Sequence, residues 1–240
     1  MGPQSLAHSA GVIERARTVI KRALAVGLLY AAVVPVQAVE IRPDPYRAAA
    51  AAGAVGTVAG RVYEERRRPE MADQPLAGAA VTLLPRSAEV LLKLEEIKRT
   101  ARASANDYRA AAPAILTVRQ EYEKELWESG AADLVRATVV DADGRFSVAD
   151  LPAGDWLLIA THMVKADKHA TGTASKQRGV YAPTTRLTGY QRVTVWLREV
   201  TVSSGGSENV DLTGRGAWFS GVVEERAPDA GPQRPASGRK

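Results

Sequence analysis

The chain has 240 residues, ordinary hydrophobic content (45%) and a quarter of charged residues, which is typical of a protein with a packed core. It contains no cysteine, and this excludes disulfides, a thiol nucleophile and thiolate metal sites. The formal net charge is +5, but the first 38 residues contribute +3 and the last 14 contribute +2, so residues 39–226 are neutral. Because nucleic-acid binding depends on clustered Lys and Arg, we predict no nucleic-acid partner.

The first 38 residues have the pattern of an export signal. Basic residues between Arg15 and Arg22 precede an uncharged apolar run at 23–34, and Pro35 ends this run shortly before the small residue Ala38. The run is shorter than the roughly 20 apolar residues that span a bilayer. We predict cleavage after Ala38 and an extracytoplasmic protein, periplasmic or secreted, without a stable transmembrane span. An uncleaved membrane anchor is the competing interpretation.

Residues 39–55 and 227–240 predict flexible segments around a single domain at 56–226. Pro43 and Pro45 favour an extended start, and the alanine run at 48–52 offers no apolar face to bury. The segment is therefore predicted to be a linker. Residues 227–240 are rich in Pro, Gly and Ser, which predicts a disordered tail.

Within the domain, alternating apolar residues bounded by turn residues predict seven or eight β-strands. Asp143-Gly144 is the clearest turn, because a two-residue hairpin needs a positive φ that glycine tolerates. A polar stretch at 165–188 predicts a long loop. The predicted strands are 56–63, 79–85, 136–140, 145–149, 155–163, 191–202, 209–213 and 218–223.

Between the second and third strands, residues 87–129 change to a helical period. Ser87 is placed to cap a first helix, and Pro113 suits the first turn of a second one. The pattern predicts an inserted αα-hairpin that turns near Pro113. Its first helix, about 37 Å long, would be long enough to project from the domain.

A turn near Pro113 would separate the charges of this hairpin. Two interpretations follow: a polarised arm that docks an anionic partner or another envelope protein, or ordinary solvated helix faces, which we favour. In the docking interpretation the strands would fold without the arm. The basic residues near the turn would be Lys98, Arg99, Arg102, Arg109 and Arg119, and the acidic residues near the base Glu121, Glu123, Glu125 and Glu128.

Candidate catalytic chemistry is sparse. His8 would leave with the signal, and His162 and His169 stand seven residues apart without a helical His-Glu-x-x-His pattern. A calcium loop starting at Asp141 would need a Glu at its twelfth position, which is Pro152. We therefore predict no catalytic, cofactor or metal site. The alternative hypothesis is a metal-dependent hydrolase that uses His162 and His169.

Three ordered motifs carry a family resemblance. They are Gly-x-Val-x-Gly-x-Val at 56–62, Pro-Leu-Ala-Gly-Ala-x-Val-Thr-Leu at 75–83, and Asp-x-Asp-Gly-x-Phe-x-Val-x-x-Leu-Pro-Ala-Gly from 141. Together they resemble the carboxypeptidase regulatory-like domain family. The helical insertion and the segment 165–188 depart from that pattern, and Trp156 stands where the family commonly has Tyr.

The resemblance implies a mainly β fold, a seven- to eight-stranded transthyretin-like or Ig-like β-sandwich with the αα-hairpin inserted. It also implies an exported, non-catalytic module without a cofactor. Since one fold hosts many functions, it implies no particular ligand. We expect a binding or structural role in the cell envelope, with another envelope protein or a surface glycan as the partner.

Overall fold

The computed structural model describes residues 42–66, 68, 72–166 and 185–228. The predicted signal, His169 with most of the predicted 165–188 loop, and all but the first two residues of the predicted tail lie outside these ranges. The described elements are α1 (Asp44–Ala51), β1 (Val55–Glu64), β2 (Gln74–Pro75), β3 (Ala80–Pro85), α2 (Ala88–Thr100), α3 (Ala105–Glu128), a short 3₁₀ turn (Ala132–Leu134), β4 (Arg136–Val139), β5 (Arg145–Pro152), β6 (Gly154–Lys165), β7 (Thr185–Val202), β8 (Ser207–Thr213) and β9 (Phe219–Pro228).

The strands form two sheets, which confirms the prediction of a mainly β protein. In sheet A, β1 lies between β5 and β8 and also pairs with β2, whereas sheet B has the order β4-β3-β6-β7-β9. Every pair is antiparallel except β1 with β8, which is parallel. The described residues hold nine strands, and the one that the sequence pattern did not predict is the two-residue β2. The predicted loop 165–188 was wrong at its ends, because β6 runs to Lys165 and β7 begins at Thr185.

One hydrophobic core joins the two sheets. On sheet A, Val58 and Val62 of β1 are fully buried, and Val62 is paired with the buried Leu212 of β8. On sheet B, Trp156 and Trp196 are fully buried. The indole N–H of Trp196 donates to the carbonyl of Thr213 in sheet A, 2.6 Å away. The two sheets therefore pack face to face.

The αα-hairpin covers the other face of sheet B. Tyr108 of α3 packs on Phe219 of β9 with ring centroids 6.3 Å apart. The buried Ala112 approaches Gly221 so closely that an added Cβ there would lie 3.1 Å from it. Strand register places the buried Val193 and Val195 opposite Gly221 and Phe219, on the same face. The hairpin is thus a third layer of the fold, and the expectation of a projecting arm was wrong.

The hairpin turns at residues 101–104, and the predicted turn near Pro113 was wrong. The hydroxyl of Ser104 accepts the backbone N–H of Asp107 at 3.1 Å and donates to its carboxylate at 2.6 Å. This cap begins α3 earlier, and the exposed Pro113 lies inside the helix. Ser87 caps α2 as predicted, by accepting the N–H of Val90.

Part of the predicted linker is helical, so the expected extended conformation was wrong for 44–51. Pro45 stands in the first turn of α1, where its missing N–H costs nothing. The apolar contact that the alanine run lacks comes from Tyr46, whose ring packs edge-on against Trp156 at 5.1 Å. No helix in the described ranges is long and apolar enough to cross a membrane.

Candidate functional site

One end of the two packed sheets is covered by a helix, and the other end is open. At the end where β1 begins, α1 closes the gap: Tyr46 packs on the buried Trp156, and its hydroxyl donates to the carbonyl of Asp155. At the opposite end β1 and β8 stop at Glu64 and Thr213, whereas the strands of sheet B continue. An open space is left between the two sheets at this end.

This open space is a cleft of about 590 Å³, called here the polar cleft. Sheet A and the loops at its end contribute acidic, basic and amide side chains, and sheet B contributes imidazole, guanidinium and hydroxyl groups. Its lining residues are Glu64, Glu65, Gln74, Leu76, His162, Val164, Arg192, Thr194, Trp196, Gly214, Arg215 and Ser220.

A row of polar side chains crosses sheet B in the cleft. His162 of β6 is paired with Thr194 of β7, and Thr194 is paired with Ser220 of β9. Residues paired across neighbouring strands point to the same face, about 5 Å apart. The next residue of β7 on that face is Arg192, about 7 Å further along the strand. The row therefore presents two hydroxyls and an imidazole beside a guanidinium.

The charged side chains of the cleft differ in whether they already have a partner within the protein. The carboxylate of Glu65 accepts hydrogen bonds from the Thr213 hydroxyl and from the backbone N–H of Arg215 at 3.1 Å, and these bonds lower the pKa of Glu65. Glu64 also has an interaction partner. By contrast, the exposed guanidinium of Arg192 makes no ion pair or hydrogen bond to any residue that the structure describes. Within the described part of the chain, Arg192 is therefore left without an acceptor, whereas Glu64 and Glu65 already have partners.

His162, one of the two histidines of the hydrolase hypothesis, lies in this cleft, and burial lowers the pKa of its imidazole. The other, His169, lies outside the described residues, so the pairing of the two stays a prediction. Within the described ranges no three His, Asp or Glu side chains group closely enough to hold a metal ion. What His162 offers the cleft is a half-buried imidazole with one donor and one acceptor nitrogen.

We expect His162 to make the folded protein less stable as the pH falls. Its folded pKa lies below the unfolded value, so in the window below about pH 6.5 the unfolded chain binds more protons. The loss should be under about 1 kcal/mol at pH 5.5, because the side chain is only half-buried and solvent screens it. The difference between the free energies of unfolding in urea at pH 7.5 and pH 5.5 measures this loss.

The control for this experiment is His162→Gln, which keeps the hydrogen-bonding capacity and removes the titration. The other charged groups facing the cleft are Glu64, Glu65, Arg192 and Arg215. The lowered pKa of Glu65 keeps the titration of that carboxylate below this window. An equal loss of stability in the variant would assign the effect to other groups.

Several charges of the hairpin make contacts within the hairpin or with sheet B, and the predicted separation into a basic end and an acidic base is incomplete. Arg99 pairs with Glu96 at 2.6 Å, and Lys98 lies 4.7 Å above the ring of Trp218. Lys98, Arg99, Arg102 and Arg109 do lie near the turn, but Arg119 is mid-helix and pairs with Glu123 at 3.3 Å. The indole N–H of Trp218 donates to Glu95 of α2 at 2.8 Å. Several of these charges therefore hold the hairpin in place.

Sequence reasoning missed most of the cleft, including Arg192, Arg215 and Thr194. These residues come from strands and loops that are distant in the chain, and a charged residue at the end of a strand is an ordinary feature. One signal was present: in β7 Arg192 and Thr194 alternate with Val193 and Val195, and therefore share one face. Only strand pairing shows that this face also carries His162 and Ser220.

No family model and no curated protein matches the chain. Among solved structures, it is similar to a "putative carbohydrate binding protein" from Pseudomonas aeruginosa, with 16% identity and a TM-score of 0.38 over 73% of this chain and 99% of that one. It is also similar to the pilus backbone protein of Streptococcus pneumoniae, with 16% identity and a TM-score of 0.24 over 65% of this chain and 40% of that one. At these TM-scores the two proteins support no statement about what this chain binds.

Proposed function

We propose that this protein is an exported, non-catalytic binding module of the cell envelope that holds a glycan in the polar cleft. The observation that carries the proposal is the cleft itself, whose volume of about 590 Å³ lies within the usual range for ligand sites. Hydroxyl, amide, imidazole and guanidinium groups line it. Such groups exchange hydrogen bonds with the hydroxyls of a sugar.

A glycan suits this cleft better than the surface of another envelope protein. Protein interfaces depend on a central apolar or aromatic cluster that the partner covers. In the cleft, Trp196 is fully buried and its N–H is already bonded, so it offers no exposed ring. The remaining apolar lining is Leu76 and Val164. The ligand we propose is therefore polar and small enough to occupy one cleft.

The exported location and the family are parts of the same proposal. The export pattern of residues 1–38 supports the exported location. The family is supported by the positions of the three motifs. Residues 56–62 lie within β1, residues 75–83 lie across β2 and β3, and the residues from 141 run through the turn into β5 and β6. We accordingly propose a carboxypeptidase regulatory-like, transthyretin-like β-sandwich to which the α2–α3 layer has been added.

The proposal is tested by screening the purified protein on a glycan array and mapping any binder by NMR. We expect cleft resonances to shift, and Thr194→Val to weaken binding about five-fold through the loss of one hydrogen bond. The matched control is Thr117→Val, the same change at an exposed position of α3. Binding that is equally strong in both variants, or that shifts residues elsewhere, would contradict the proposal.

Metal analysis of the same preparation distinguishes the non-catalytic binding module from the metal-dependent hydrolase. We expect neither the unchanged protein nor His162→Ala to contain stoichiometric metal. Stoichiometric zinc that is lost in His162→Ala would contradict the non-catalytic proposal and favour a metal-dependent hydrolase.

A further inference from the structure

The polar cleft has unequal numbers of available cationic and anionic groups. Glu65 already accepts the Thr213 hydroxyl and the backbone N–H of Arg215, and Glu64 also has a partner. The guanidinium of Arg192 has no described partner. The side chain of Arg215 is exposed at the edge of the cleft and makes no hydrogen bond to the described residues, although it lies in the field of Glu65. Among the described residues, Arg192 is therefore the lining cation without an acceptor, and Arg215 adds a positive charge that Glu65 partly offsets.

The position of Arg192 relative to the polar row defines where an anionic group would lie. Thr194 stands in the middle of the row, between His162 and Ser220, and Arg192 is two residues away on the same face. Arg192 is flanked there by Val164 and Val222, so its neighbours in the sheet offer it no acceptor. Arg192 therefore stands about 7 Å along β7 from Thr194. A sugar ring on the row would place one substituent near Arg192.

We propose that the glycan bound in the cleft is acidic, with a uronic-acid carboxylate on Arg192 and the ring hydroxyls on the row His162, Thr194 and Ser220. This inference rests on the proposed function and specifies its ligand class. A guanidinium offers a carboxylate two parallel N–H donors, which is the strongest pairing available to an exposed arginine. Arg215, from the end of sheet A, supplies a second positive charge at the edge of the cleft.

The probes are oligomers of galacturonate and of mannuronate, each compared with its methyl ester, which keeps the ring and removes only the charge. We expect calorimetry to show at least ten-fold weaker binding of the ester, and binding of the acid that weakens as salt is added. Arg192→Gln should remove most of the difference in affinity between the acid and its ester, because it removes the guanidinium that the carboxylate pairs with. The matched control Arg109→Gln removes another exposed arginine, from α3, and should change binding of neither the acid nor the ester.

The other outcomes are distinguishable. If neutral glycans shift the cleft resonances and acids bind no better than their esters, the acidic class is overturned and glycan binding stands. If no glycan shifts those resonances, both proposals fail. If a poly-glutamate peptide competes as well as the uronic-acid oligomers, the cleft recognises a carboxylate without a sugar, and the assignment to a glycan is overturned.

Discussion

Replacing residues 87–130 by a four-residue Gly/Ser turn should yield a protein that no longer folds cooperatively. The turn itself can close, because Leu83 of β3 is paired directly with Arg136 of β4 and the two strand ends are adjacent. The physical cause is instead the loss of the layer over sheet B. The side chains that would face solvent are Leu84, Leu157, Ile159, Val193, Val195, Leu197 and Phe219.

Exposing these side chains should cost roughly 10 kcal/mol or more, at about 1.5–3 kcal/mol for each large apolar group. This is comparable with the whole stability of a typical domain. Circular dichroism should show no sharp thermal transition, and the dye ANS should bind the exposed face. A deletion variant that unfolds cooperatively and binds no ANS would support the opposite view, a dispensable arm.

The control lies on the solvent side of the same hairpin. Leu92 and Trp127 are 72% and 68% exposed, so replacing both with Ser removes apolar groups without uncovering the sheet. We expect this double variant to change the free energy of unfolding by less than about 1 kcal/mol. The contrast assigns the effect of the deletion to the buried face of the hairpin.

The strands could be predicted from the sequence because their signals are local. Gly144 has the positive φ of 78° that the Asp-Gly turn requires. The turn joins β4 of sheet B to β5 of sheet A, so the turn forms, but the prediction that its two strands pair as a hairpin was wrong. The carboxylate of Asp141 accepts the N–H groups of Asp143 and Arg145 at 2.9 and 2.8 Å, which fixes this turn from within. Alternation of apolar and polar residues then sets the strands on either side.

The layer over sheet B had a local signal that the prediction did not use. Residues 156–160 of β6 are apolar without alternation, and all of them are buried. A strand buried on both faces needs a cover on each side, so this run is inconsistent with an arm that projects into solvent. Pro113 was given too much weight as a helix start, whereas the Ser104 cap three residues before Asp107 was overlooked.

The first helix and the cleft could not be predicted because they depend on contacts between distant residues. Tyr46 stabilises α1 through Trp156, which is more than a hundred residues away. Glu65 is likewise held by Thr213 and Arg215 from the far end of the chain. Neither residue differs in its local sequence from a solvated one, so only the three-dimensional structure shows its role.

Gly60→Ala should destabilise the protein by about 3 kcal/mol, at the upper end of the range for overpacking. Gly60 lies on the buried face of β1, the central strand of sheet A, between Phe146 of β5 and Val210 of β8. An added Cβ would stand 1.9 Å from the carbonyl oxygen of Val210 and 2.9 Å from the ring of Phe146. The first of these atoms is backbone, so β8 must move away from β1, and part of the parallel pairing is lost.

Thermal unfolding should show a midpoint lower by roughly 10 °C, given a shift of about 2–4 °C per kcal/mol for a chain of this size. The matched control is Gly189→Ala in β7, where an added Cβ would meet only the Glu225 carboxylate, at 3.1 Å. That flexible side chain can move, so we expect a change below about 1 kcal/mol. Equal midpoints for the two variants would mean that β8 is not held against β1 as closely as the structure has it. The glycine that ends the Gly-x-Val-x-Gly repeat is therefore explained by the close approach of a neighbouring backbone, with no need for an unusual φ.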